Sequence, residues 1–108
     1  MPDSEISQFA RNMRMLLDIE AIKCLKYRYI RLVDEQRFEE WGATCFTEDV
    51  YLSTLEMGAF QGRDAVIGAV ARGYRTAFTI HQVHMPEIRI TGEDTASGIW
   101  SLNDYTTF

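Results

Sequence analysis

Cysteine, histidine and proline each occur only twice in the 108 residues, and each scarcity narrows the field. Cys24 and Cys45 form no Cys-x-x-Cys pair, which excludes a disulfide-rich scaffold and a thiolate zinc cluster. Each falls in an expected helix among apolar neighbours and reads as a buried free thiol, at home in a reducing cytoplasm. No apolar run approaches the roughly 20 residues needed to span a bilayer. The opening Met1-Pro-Asp-Ser-Glu5 has neither the basic nor the apolar segment of a secretory signal. Positive charge is in deficit too, with 11 Lys and Arg against 16 Asp and Glu and a formal net charge of −5. An acidic surface is not drawn to nucleic acid or anionic lipid, so neither is an expected partner. Arg11, Arg14, Lys23, Lys26, Arg28 and Arg31 are interleaved with Asp18, Glu20, Asp34 and Glu35, the pattern of a solvated helix face. Gly58-x-x-x-Gly62 is followed by no Lys-Ser/Thr, so it is no phosphate loop, and no nucleophile elbow is present.

What is there is an ordinary globular composition, 46% apolar, 12% aromatic and 25% charged, enough to order one packed domain over residues 1–108. Residues 5–16 and 18–36 read as helices separated by a kink near Leu17-Asp18, with Asp18 as N-cap. In the second, Ile22, Leu25, Tyr29, Leu32 and Val33 recur at helical spacing. A short helix over 38–46 presents Phe38, Trp41, Cys45 and Phe46. The pattern then changes: Val50 to Leu55, Leu52 included, alternates as a strand, a short strand or turn lies between Gly58 and Gly62, and 64–75 is a helix. Two longer strands, 77–91 and 96–106, are joined by a hairpin loop at Gly92 to Thr95. Helices first and mostly antiparallel strands after give an α+β fold, a curved sheet wrapped by helices. The last strand runs to Phe108 with no turn or cap, so an exposed sheet edge calls for a covering oligomer or for further strands.

Both histidines sit in Thr79-Ile-His-Gln-Val-His-Met-Pro-Glu-Ile-Arg-Ile-Thr91, the stretch that says most about chemistry. Residues of one parity share a face of a strand. His81 therefore shares its face with Val83 and Met85, and His84 points the other way. Beyond Pro86 the apolar parity flips to Ile88 and Ile90, as at a bulge. An imidazole on an apolar face must find a polar partner or lose its charge. Trp100, Leu102 and Asp104 share one parity on the next strand, so Asp104 and His81 are expected to be neighbours across the hairpin. Tyr29 points inward from its helix, while Asp34, about 140° further round an ideal helix, sits at the margin of the apolar stripe. A base, a phenol and carboxylates around an apolar hollow suit proton transfer on a small carbonyl compound. On the residues alone each also has a structural reading: core histidine, packed tyrosine, helix-end charge, strand-end charge. His81-x-x-His84 makes no metal pair, because the two rings face opposite sides of the strand, and no metal or cofactor is expected.

Several linked blocks resemble one known group. Ile22-x-x-Leu25-x-x-x-Tyr29-x-x-x-x-Asp34 and Trp41-x-x-x-x-Phe46-Thr-Glu-Asp49 are followed by Gly62-Arg-Asp-Ala-Val66, His81-x-x-x-x-Pro86-x-Ile88-x-Ile90 and Asp94-Thr-Ala-x-Gly98. Together, from about Ile19 to Asp104, they are similar to the SnoaL-like group of the nuclear transport factor 2-like superfamily. The resemblance implies a cone-shaped α+β fold, a strongly bent sheet and three helices around a deep pocket, often as dimers or trimers. Members include polyketide cyclases, scytalone dehydratase, bile-acid dehydratase and ketosteroid isomerase. It implies acid–base roles for His81, Asp34, Tyr29 and Asp104, and a substrate pocket contributed by Trp41, Phe46, Leu52, Val83, Met85 and Trp100. The family pattern continues through one or two further long strands, so the resemblance also implies that residues 1–108 are an incomplete domain.

The expected activity is a cofactor-independent lyase or isomerase acting on a small, hydrophobic, cyclic hydroxy-carbonyl compound. The rival expectation is a non-catalytic binding or assembly module resembling a ring-hydroxylating dioxygenase small subunit. Water activation of the limonene-epoxide-hydrolase kind needs an Asp–Arg–Asp set that cannot be placed here.

Overall fold

The computed structural model describes residues 2–108. In chain order the elements are α1 (Asp3–Asp34), α2 (Phe38–Cys45), β1 (Tyr51–Thr54), β2 (Gly58–Gln61), α3 (Arg63–Tyr74), β3 (Phe78–Ile90) and β4 (Ala96–Thr107). The class is α+β, as expected. The strands form two antiparallel ribbons, β1–β2 and β3–β4, and no closed barrel forms among the described residues. No helix among them is long and apolar enough to cross a membrane.

α1 is one unbroken helix, where the sequence suggested two. No glycine or proline interrupts Asp3–Asp34, and Arg14 Nε reaches Asp18 Oδ1 at 3.2 Å across the expected break. An i,i+4 pair of that kind supports a continuous ladder, so Asp18 is interior and caps nothing. At 1.5 Å per residue its 32 residues run about 48 Å, which accounts for most of the molecule's longest dimension of 60 Å. Its N-terminal half leaves Ile6, Phe9, Met13, Leu16 and Leu17 exposed. Cys24 is exposed as well, contrary to the buried thiol expected, because the core touches α1 mainly through its C-terminal turns; Cys45 is half-buried.

α1 stops where Gln36 takes φ +59° and the Arg37 N–H bonds back to Leu32 O at 2.9 Å. The left-handed residue closes the helix in place of the usual glycine. The Gln36 amide then donates to Tyr74 O at 3.1 Å and Ala77 O at 2.8 Å, fastening the end of α1 to the end of α3. That fastening fixes where the last turn of α1 meets β3.

The core lies between the C-terminal half of α1, α2 and α3, built on Leu32, Val33, Phe38, Trp41, Val66, Val70 and Ala71. Trp41 is 1% exposed and Val66 0%. Burying a side chain of Val66's kind stabilises the fold by roughly 1.5–3 kcal/mol. Tyr29, Trp41 and Phe46 meet edge to face with centroids 4.9–5.6 Å apart. Such pairs add about 0.5–1.5 kcal/mol each beyond burial and hold Tyr29's ring in place. Gly42 lets α2 lie directly on α3, since a Cβ there would overlap the Ile67 side chain. Gly62 precedes α3 at φ +91°, a conformation strained for any other residue.

The β3–β4 register pairs His81 with Asp104, Val83 with Leu102 and His84 with Ser101, then slips before Glu87 pairs with Ile99. The slip is the bulge the parity change implied. Met85 sits in it at φ +54°, and it is 70% exposed.

Candidate active site

Two secondary structures that meet only through tertiary packing build the site. The last turn of α1 presents the Asp34 carboxylate to β3, 47 residues later. One oxygen, Oδ2, accepts the His81 main-chain N–H at 2.9 Å. The other, Oδ1, accepts the Thr79 hydroxyl at 2.8 Å and lies 2.6 Å from His81 Nδ1. Three bonds on one carboxylate leave the imidazole little freedom to rotate. With Asp34 ionised, the short Nδ1 contact carries a ring proton on Nδ1, which puts the free lone pair of neutral His81 on Nε2.

Nε2 points toward β4, 3.4 Å from Asp104 Oδ2, and the His81 side chain is only 9% exposed. A proton received at Nε2 would face that second carboxylate. Asp104 is itself held by the Thr106 hydroxyl at 2.6 Å. The Tyr74 ring stands edge-on to the imidazole at 6.2 Å between centroids.

His81 and Asp104 both border a half-open cavity of about 440 Å³, lined by Tyr29, Trp41, Leu52, Val83, Trp100 and Leu102 among its apolar walls and by Tyr74, Glu56 and Lys26 among its other polar groups. That volume is in the range of small-molecule sites. Asp34 is absent from this lining and borders a more open depression that His81 also lines, so among the described residues its hydrogen bonds reach the cavity wall only through His81.

Burial pushes the Tyr29 phenol above its ordinary value, with the Cys45 and Tyr74 side chains adding to the effect, so Tyr29 stays a hydrogen-bond donor through neutral pH. Burial raises Tyr74 in the same way, reinforced by Asp104 and Glu56. Burial pushes the Lys26 ammonium down, opposed by Cys45. Lys26 Nζ lies 4.1 Å from the Tyr29 ring centroid and 5.5 Å from that of Trp100. The indole N–H groups of Trp41 and Trp100 are buried without an acceptor among the described residues.

The structure therefore brings His81, Tyr29 and Asp104 to one cavity, with Asp34 on the other side of the imidazole. Of the expected pocket residues, Trp41, Leu52, Val83 and Trp100 line it. Phe46 does not; it packs on Tyr29 and Trp41 from behind. Met85 does not either, because the bulge begins one residue before Pro86 and turns its side chain out to solvent. Thr79, Tyr74, Glu56 and Lys26 went unremarked as site residues. Thr79 shares His81's parity and Tyr74 follows the buried Val66 and Val70 at four-residue spacing on α3, so each carried a signal. Lys26, read as solvated surface, lies one helical turn from Tyr29 on the same face. Among the described residues no group of three or more His, Cys, Asp or Glu is arranged to hold a metal ion.

Residues 14–108 match the SnoaL-like domain family. Among solved structures the chain is similar to a candidate scytalone dehydratase from Novosphingobium aromaticivorans, with a TM-score of 0.75 and 25% sequence identity. The match covers 82% of this chain and 60% of that one, so the chain spans less than two thirds of its relative's length.

Proposed function

The chain belongs to the SnoaL-like domain family, and from that premise we propose that it is a cofactor-independent lyase or isomerase working by proton transfer on a small cyclic hydroxy-carbonyl compound. One observation carries the reading: His81 is held through Nδ1 by Asp34 at 2.6 Å while its Nε2 lies 3.4 Å from Asp104, with which it lines a largely apolar cavity of about 440 Å³.

His81 Nε2 takes the acidic proton from the carbon next to the carbonyl. The imidazolium formed is stabilised by Asp34 on one side and Asp104 on the other. The electron pair of the broken C–H bond moves onto the carbonyl oxygen, which accepts a hydrogen bond from the Tyr29 hydroxyl. In a dehydration the enolate then reforms its carbonyl and expels the neighbouring hydroxyl, which takes a proton from Tyr29 or from the imidazolium and leaves as water. In an isomerisation the imidazolium returns the proton to a different carbon. Each positioned acid or base contributes about 10²–10⁴ in rate, and a donor aimed at the oxyanion a comparable amount. We place the protein in the cytoplasm, which suits its two unpaired thiols, and infer that it works as a homo-oligomer, consistent with exposed Phe78, Ile80 and Tyr105 on the outer face of β3–β4.

The test is hydrogen–deuterium exchange next to the carbonyl of cyclic ketones, followed by NMR in heavy water. The expected result is catalysed exchange that His81→Ala lowers by about 10²–10⁴ and Tyr29→Phe by at least tenfold. Equal exchange by all three proteins, with the ketone bound, would leave a binding module and no enzyme.

A further inference from the structure

The cavity is electrically lopsided. Its carboxylates, Asp104 and Glu56, border one further depression together with Tyr74, whose ring stands against His81, and so gather at the His81 end. Its one lysine lies toward the other end, against Trp100 and Tyr29. Two elements space the backbone positions of the two ends alike. Lys26 and Asp34 are eight residues apart on α1, about 12 Å at 1.5 Å per residue. Trp100 and Asp104 are four apart on β4, about 13 Å at 3.3 Å per residue.

No ion pair among the described residues includes Lys26. Its half-buried ammonium rests only on aromatic faces, which solvate a cation more weakly than a carboxylate does. Burial already disfavours its charge. A lysine so placed gains most from an incoming anion, while the opposite end of the cavity repels one.

We propose that Lys26 is the specificity-determining residue of this cavity and that the substrate is an alicyclic or aromatic carboxylate, its acid group on Lys26 and its reacting C–H at His81. Taking the backbone spacing of about 12 Å as the distance between the two ends, and allowing about 3 Å for a polar contact at each, puts roughly 6 Å within the substrate, the span of one or two fused rings. The charged ends also fix direction: the carboxylate cannot enter toward Asp104 and Glu56, so the C–H is delivered to the base. The inference rests on the proton-transfer reading above and names the substrate class for that site.

The probes are 1-tetralone-6-carboxylate, which has an exchangeable C–H and an acid group at this spacing, and its 6-carboxamide, neutral and of equal size. Binding is read from tryptophan fluorescence, since Trp41 and Trp100 line the cavity. The expected result is that the carboxylate binds about ten times more tightly than the carboxamide, the lower range for a charge-assisted hydrogen bond. Lys26→Met should erase that preference, weakening the carboxylate about tenfold more than the carboxamide; Lys26→Gln serves if the methionine variant does not fold. Equal binding of both probes, a preference that survives the substitution, or no saturable binding of the carboxylate at millimolar concentration overturns the proposal. Binding is measured apart from chemistry, so the two readings fail separately. A preference for the acid without His81-dependent exchange sinks the catalytic reading, and exchange without the preference sinks this one.

Discussion

Replacing Asp34 by asparagine removes one charge and almost no volume, and the hydrogen bonds around it dictate the outcome. The carboxylate accepts from the His81 main-chain N–H on Oδ2, and from Thr79 with a 2.6 Å contact to His81 Nδ1 on Oδ1. An amide offers one oxygen and one NH2 group, so it cannot reproduce both sides. If its oxygen takes the Oδ1 place, the amide nitrogen faces the His81 main-chain N–H, donor against donor. Leaving that N–H unpaired costs about 1–3 kcal/mol. If the amide turns over, its nitrogen donates to Nδ1 and the ring proton must move to Nε2. Thr79 can rotate its hydroxyl to suit, so this second arrangement is the one expected. The lone pair then points away from the cavity and the base is lost, as in a catalytic triad whose aspartate becomes asparagine, where the wrong tautomer lowers kcat by roughly 10⁴. Asp34→Asn should therefore reduce ketone hydrogen exchange by 10²-fold or more while urea denaturation shifts by no more than about 3 kcal/mol. Long-range proton–nitrogen NMR reads directly which ring nitrogen is protonated. A variant that keeps the proton on Nδ1 and exchanges ketone hydrogens within threefold of the parent refutes the reasoning.

Burial lowers Lys26 from the ordinary lysine value of 10.5, so its positive charge is present below the lowered value and lost as pH rises through it. The titratable groups that face it are Tyr29 and Cys45, while Glu56, Tyr74, His81 and Asp104 line the far end of the same cavity. Affinity for 1-tetralone-6-carboxylate should therefore begin to fall at a pH below 10.5, whereas Lys26→Met should show no such fall; a titration in the parent protein centred at or above 10.5 contradicts it. Gly42→Ala should lower stability by about 1–3 kcal/mol, because the added methyl overlaps Ile67 and pries α2 from α3; an unchanged urea midpoint would mean Ile67 moves aside freely. An aromatic disulfide reagent should modify exposed Cys24 rapidly and half-buried Cys45 slowly under native conditions, giving two phases of equal size. A single slow phase would place Cys24 against another surface.

Strand parity made part of this arrangement legible. It put His81 on the inner face, opposite Asp104, and put a phase change near Pro86, because side-chain alternation is a local property of extended backbone. It failed at Met85, where the positive φ begins one residue earlier than the proline suggests. Helical spacing found the inward stripe with Tyr29 but not what Asp34 does. Its angle from that stripe is unremarkable, and only the docking of β3 onto the last turn of α1 gives the carboxylate three partners. The unbroken α1 was misread because a lone aspartate suggests a cap, while the side-chain pair bridging it is visible only once the helix exists. Lys26 was hidden by its charged neighbours: charge interleaving describes a whole helix surface, whereas burial is decided residue by residue.

Asp34 is at once the group that steers the imidazole and a rivet joining helix to strand. A library of random variants sorted only for soluble, folded protein should therefore keep aspartate or asparagine at this position, whereas one sorted for turnover should keep aspartate alone. Tyr29 should separate the two selections as well, since its ring packs in the fold while its hydroxyl makes no hydrogen bond to any described residue: phenylalanine should pass the first sieve and stop at the second.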